Sequence, residues 1–169
     1  MEGLQTILSR RSVRNYTQKE IETEKIENIL KAGMYAPYAV NKQPWEFIVV
    51  RNLDTRKKIA EVNENAKMLV DANLGIVVCI NKNQEHAEGY GIQDCSAAIQ
   101  NMLLAAHTQG IGGVWLGIFP RINRVEALSN LFSLPDHIQP LAVLSFGYPA
   151  TEPSQPERWN ESKVHYEKF

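Results

Sequence analysis

Apolar positions recur along this chain at two spacings, and the switches between them divide it into elements. Leu4, Ile7 and Leu8 share one face of a short first helix, after which residues 10–16 read as an extended segment. Ile26, Ile29, Leu30 and Gly33 return at helical spacing, with Thr23 as a cap and Pro37 beyond the stop. Residues 47–50, a β-rich run behind Pro44, predict a strand. Asp54 or Thr55 can cap a helix reaching Val62, and residues 65–72 read as another helical piece. Residues 74–81 are apolar almost throughout, the pattern of a strand buried on both faces.

Residues 94–108 differ in kind. Cys95, Ala97, Ala98, Ile99 and the run from Met102 to Ala106 leave no wide polar face. A helix apolar nearly all round must be central, and its small residues would let a second helix approach across a dimer interface. Gly110 ends it; residues 114–117 predict a strand, 124–132 a helix and 141–147 another strand. Pro149, Pro153 and Pro156 then mark a non-helical tail, in which the alternation over residues 163–169 loosely predicts a strand. Four or five short strands alternate with five or six helices, which is an α+β layered domain with a mixed sheet.

Composition narrows the function classes. A chain of 169 residues, 44 % hydrophobic and 22 % charged, can bury about 70 % of its extended surface without a disulfide or metal staple. The net charge of -1 supplies no global field for nucleic acid. The longest apolar run, residues 74–80, is far short of the ~20 that a membrane helix needs. Residues 1–6 lack a basic start followed by an apolar stretch, so no signal peptide is expected. Cys79 and Cys95 lack Cys-x-x-Cys spacing, and no histidine stands at metal-ligand spacing; they read as two reduced thiols in a cytoplasmic core, with no metal site.

Three polar clusters carry candidate chemistry. Arg10-Arg11-Ser12-Val13-Arg14 places three guanidiniums and a hydroxyl at a helix exit, where alternation directs Arg10, Ser12 and Arg14 to one side. Such planar, permanently charged forks can wrap a phosphate, although a solvated basic turn has the same composition. In the loop from Ala36 to Trp45, Asn41 and Gln43 carry amides matched to a ring edge of alternating carbonyls and N–H groups, or serve only to cap the strand that follows. Gly117, closing Gly112-Gly113-Val114-Trp115-Leu116-Gly117, permits close approach to the backbone, or is a packing accommodation. Neither a dinucleotide glycine fingerprint, a Walker loop nor a Gly-x-Ser-x-Gly elbow is present.

Taken in order, Arg-Arg-Ser-x-Arg, Ala-Pro-x-x-x-Asn-x-Gln-Pro-Trp and Gly-x-Trp-Leu-Gly make this chain resemble the nitroreductase family of FMN-dependent oxidoreductases, in its short form. The likeness covers nearly the whole chain. It implies a homodimer of single domains, each spanning 1–169, with an α+β fold, a mixed and mostly antiparallel sheet flanked by helices, and an extended tail over 146–169 crossing to the partner. It also implies FMN at the subunit interface and NADH or NADPH as reductant. Carried onto this sequence, Arg10, Arg11 and Ser12 correspond to the phosphate and ribityl contacts, and Arg14 to the positive charge beside the flavin N1–C2 edge. Asn41 corresponds to the amide contact with the ring, and Gln43 supports that loop or the ribityl chain. Leu116 and Gly117 fall where a backbone N–H meets flavin N5, Arg158 matches a late basic residue on the phosphate, and Pro37 and Tyr38 border the cofactor from the partner subunit. Tyr38 departs from the serine usual at its position, which re-shapes the substrate mouth.

The implied activity is ping-pong: hydride passes from NAD(P)H to flavin N5, then to an acceptor such as a nitroaromatic or quinone. No side chain need act as a general acid, in keeping with the lack of a histidine or carboxylate constellation. The alternatives are a non-catalytic FMN carrier or interaction dimer, and a specialised dehalogenase-like flavin enzyme. RNA binding through the arginine cluster is disfavoured by the net charge.

Overall fold

In the computed structural model, residues 3–169 are described; Met1 and Glu2, part of the stretch read above for a leader, lie outside them. Strands β1 (Trp45–Val50), β2 (Leu74–Asn81), β3 (Gly112–Gly117) and β4 (Ile138–Gly147) form one sheet in the order β1-β2-β4-β3. Every strand pair is antiparallel, and the parallel element is a single bridge between Ser12 and Gly113. The β2–β4 register shifts between Val78 and Cys79, where the partner of Cys79 is Pro140, which has no N–H to donate. The skipped residue, Leu141, turns its carbonyl to the N–H groups of Ile118 and Phe119, both at 3.1 Å.

Helices cover both faces of this sheet. On one face α2 (Thr23–Met34) and α4 (Tyr90–Thr108) pack over Leu74, Ile76, Val78 and Ile80. On the other, α3 (Leu53–Val62) and α5 (Ile122–Phe132) contribute Ile59 and Leu128 to a core with Val77, Cys79, Val114, Leu116 and Val143. Burial on both sides explains why β2 carries no polar alternation; all eight of its residues are buried. The expectation for α4 holds in the same terms: Cys95, Ala98, Ile99, Met102 and Ala106 are wholly buried. Cys79 and Cys95 are free, buried thiols, each pushed up to about 12 chiefly by desolvation. No helix among the described residues is long and apolar enough to cross a membrane.

Several boundaries move. The cap of α2 is Glu22, not Thr23, and Glu22 is already committed elsewhere: it accepts the Tyr148 hydroxyl at 2.5 Å, and that hydroxyl accepts from Lys25 at 2.7 Å. The tyrosine hydrogen bond is the main reason the Glu22 carboxyl is held down at about 2. Asn52 caps α3 by accepting the Thr55 N–H at 2.9 Å, so neither Asp54 nor Thr55 is the cap. The helical piece read over 65–72 is a 3-10 helix, Glu64–Leu69, capped by Asn63. The central helix opens four residues early, at Tyr90, behind Gly89 in the left-handed region. No strand forms over residues 163–169 within the single chain; they are exposed and follow the short 3-10 helix Glu161–Lys163.

Candidate functional site

The short helix α1 (Gly3–Ser9) releases the chain at Arg10, which then runs extended beside β3. The Val13 N–H donates to the Gly113 carbonyl at 3.1 Å, and Val13 itself is buried. This contact depends on Gly112, because a Cβ there would stand 2.6 Å from the Val13 Cβ. The glycine pair is thus a packing accommodation, and its consequence is that the first and third sequence clusters lie side by side.

The Val13 bond also orients the strand. Since Gly113 turns its carbonyl away from β4, the two-residue period turns the main-chain groups of Gly117 the same way, off the free edge of the sheet. The Gly117 carbonyl accepts from Arg124 Nη1 at 3.0 Å, and a Cβ on Gly117 would meet nothing within 4 Å. Leu116 directs its side chain into the core and, by the same period, its main-chain groups toward β4, so Gly117 rather than Leu116 offers backbone to the free edge. A cavity of about 580 Å³ opens here, joining Leu116 and Gly117 to Arg14, Asn65, Lys67 and Arg124.

Arg10 and Arg11 face elsewhere, so the strict alternation expected of the cluster is not kept. They line a smaller cavity of about 240 Å³ with His107, Gly112, Gly113 and Pro153. Arg11 is turned onto backbone carbonyls, donating to Leu8 and Arg10 at 2.7 Å and to Ser154 at 3.2 Å. The last of these ties the tail to the cluster. The tail is led there by main-chain bonds, from Thr17 to Tyr148 at 2.8 Å and from Ala150 to Asn15 at 3.0 Å. Burial, then the charges of Arg158 and Arg11, lower the Arg10 guanidinium below its usual range, which places Arg158 in the same field. Among the described residues, no carboxylate forms an ion pair with Arg10, Arg11, Arg14 or Arg158. Unpaired guanidiniums gathered beside an exposed Ser12 fit a phosphate dianion, and open space over an edge-strand glycine fits a planar ring.

The second cluster is built on the loop between α2 and β1 and does not join the larger cavity within one chain. Pro37 and Tyr38 line a separate groove with Met34 and Tyr35. Gln43 Nε2 donates to Tyr38 Oη at 3.3 Å and to Asn41 Oδ1 at 3.2 Å. The Tyr38 ring stands edge-on to Trp45 with centroids 5.3 Å apart. Sequence reasoning missed Asn63, Asn65, Lys67, Arg121 and Arg124, all of which line the larger cavity. A signal was available for the first three: Asn63-Glu64-Asn65-Ala66-Lys67 is a polar run with turn-forming residues, set directly before a buried strand.

The fold is a layered α+β domain with a cavity along the free edge of its sheet that Arg14, Lys67, Arg121 and Arg124 help to line, and comparison identifies its family. The sequence profile of the nitroreductase family matches residues 7–67 and 62–148. The chain is similar to the "Putative NADH dehydrogenase/NAD(P)H nitroreductase" of Methanothermobacter thermautotrophicus, with 44 % identity over 100 % of this chain and 88 % of that one. A solved Bacteroides thetaiotaomicron protein of the same name superposes with a TM-score of 0.94 at 41 % identity, covering 98 % of this chain and 97 % of the other. An FMN-dependent nitroreductase from Clostridium difficile gives a TM-score of 0.88 at 28 % identity, covering 98 % and 99 %. The chain belongs to the nitroreductase family.

Proposed function

We propose that the protein is an FMN-dependent NAD(P)H oxidoreductase that passes reducing equivalents to a small organic acceptor such as a nitroaromatic or a quinone. The observation that carries this reading is the cavity joining Arg14 to the free Gly117 edge, with Arg10 and Arg11 lining a second cavity and forming no ion pair among the described residues. Arg10, Ser12 and Arg158 hold the phosphate and ribityl chain, with Arg11 fixing the tail that carries Arg158. Arg14 places its charge beside the N1–C2 edge, where a reduced flavin gathers negative charge, and stabilises that state in a partly dry site. The Gly117 backbone would meet the ring at N5, with Leu116 fixing the strand from the core side, and Asn41 and Gln43 would offer amides to its polar edge. When bound, FMN supplies the hydride chemistry, and the protein supplies placement and charge.

The whole chain acts as one FMN-binding domain in a homodimer, with Pro37 and Tyr38 bordering the partner's flavin and the tail crossing the interface. Two observations support this. The chain exposes 10066 Å², against ~8,400 Å² for a compact protein of its mass. Leu4, Ile7 and Leu8 on α1, and Trp159, Tyr166 and Phe169 in the tail, are each more than half exposed.

The test is an anaerobic absorbance titration of FMN-loaded protein with NADH and then NADPH, followed by acceptor. Flavin bands that bleach with a donor and return with a nitroaromatic or quinone are the expected result. Bands that persist with both donors favour the FMN carrier, and a protein that takes up no FMN overturns the reading.

A further inference from the structure

Asp94 lies in the second turn of α4 and is 5 % exposed. Its two carboxylate oxygens are unequally served. Oδ1 accepts the backbone N–H of Ala39 at 3.2 Å, whereas Oδ2 is buried with no hydrogen-bond partner among the described residues. A carboxylate kept in such a place at a desolvation cost needs a reason.

The chain it grips supplies one. Ala39–Asn41 form a 3-10 turn between Tyr38 and Lys42, and Val40, Asn41 and Gln43 have φ of 43°, 57° and 49°. Asparagine enters the left-handed region readily, but a β-branched valine there is an outlier. Backbone of this kind persists only where its surroundings over-determine it. Inside the loop, the Gln43 amide bridges Tyr38 and Asn41. The Asp94–Ala39 bond ties that self-bonded unit to the helix at the centre of the fold.

We infer that Asp94 is a positioning residue: through the Ala39 N–H it holds the loop in the shape that presents the Asn41 and Gln43 amides to the flavin. What the amides contact rests on the functional reading above; what holds the loop rests on the geometry alone. Asp94 touches no reacting atom in this scheme and acts through the loop.

Two measurements separate these layers. Amide hydrogen exchange at Ala39 in FMN-free protein reports the grip, and FMN affinity with the visible spectrum of the bound flavin reports its consequence. Asp94→Ala should speed exchange at Ala39 and raise the FMN Kd, each about tenfold, with a shifted flavin spectrum. Asp94→Asn keeps an oxygen acceptor and should bring both back to within about threefold of the parent. An Asp94→Ala protein with the parent's FMN affinity and spectrum overturns the inference. Should Asp94→Ala fail to fold, Asp94→Leu decides: it fills the buried site with an apolar side chain and removes the acceptor, so the chain folds while exchange at Ala39 quickens and FMN binds about tenfold more weakly. Unchanged exchange at Ala39 and unchanged FMN affinity in Asp94→Leu overturn the inference too. A parent chain that binds no FMN overturns the flavoprotein reading, and retained exchange protection at Ala39 in Asp94→Ala then overturns the grip of Asp94 as well.

Discussion

Val13 lies directly against Gly112, so close that the missing Cβ of the glycine would be 2.6 Å from the Cβ of the valine. This one contact seats the arginine-bearing segment on the sheet edge, because the neighbouring Val13–Gly113 bond forms only at that distance. Gly112→Ala should therefore cost about 1–3 kcal/mol by overpacking, and should weaken FMN retention by displacing Ser12 and Arg14. Chemical denaturation and an FMN titration on the same variant check both effects. Lost stability with full FMN affinity would separate the contact from the site.

Arg14→Ala tests the electrostatic role. Arg14 is exposed, has no ion-pair partner among the described residues, and lines the same cavity as Gly117. Its removal should slow flavin reduction by NAD(P)H about tenfold to a hundredfold and lower the midpoint potential, while FMN stays partly bound. Stopped-flow reduction and potentiometry provide the numbers. A variant with unchanged potential and rate leaves Arg14 with no part in tuning the flavin.

Arg158→Ala tests the tail. Arg11 holds the tail at Ser154, and Arg158 already acts electrostatically on Arg10. Losing one charge-assisted contact to phosphate should raise the FMN Kd about tenfold and flatten its salt dependence. Riboflavin, which has no phosphate, should bind parent and variant alike. Equal FMN affinity in the two proteins would free the tail from the site.

The sequence made the architecture legible where one force dominates. The unbroken apolar run of β2 announced burial on both faces, and the lack of a polar face on α4 announced its central place. Caps were less legible, because they depend on what else competes for a side chain: Glu22 is drawn to Tyr148, 126 residues away. The arginines were readable as a cluster but not in their division between two cavities, which Val13 imposes by turning inward. Asn63, Asn65 and Lys67 went unread as site residues since only the tertiary fold brings them opposite Arg14. The shape of the 38–43 loop was invisible for a further reason: nothing in the letters Ala-Val-Asn announces a left-handed valine.

Tyr38 lines the groove formed with Met34, Tyr35 and Pro37, and its surroundings say what replacing it does. Its ring packs edge-on against Trp45, and its hydroxyl accepts from Gln43. Tyr38→Ser should lose about 0.5–1.5 kcal/mol of aromatic packing and open the groove, broadening the range of acceptors more than it changes the rate of reduction by NAD(P)H. A panel of nitroaromatics and quinones of graded size, compared by kcat/KM, measures this. An identical acceptor profile would mean that the ring stands away from the substrate's path.

His107 contributes a pH dependence to stability. Burial, and then the charges of Arg10 and Arg11, push its imidazole below the ordinary value of 6.5. The folded protein therefore binds that proton less readily than the unfolded chain does. Stability contributed by the neutral ring is present above pH 6.5 and is lost as pH falls through the lower folded value. FMN-free protein should accordingly show a melting temperature that drops on acidification below pH 6.5, and His107→Gln should remove part of that drop. Bound FMN should remove part of it as well, since a phosphate dianion among Arg10, Arg11 and Arg158 offsets the arginine charges that add to burial in keeping the ring neutral. Thermal melts from pH 8 to 5, with and without FMN, test the linkage; a slope that FMN leaves unchanged would place the phosphate away from His107.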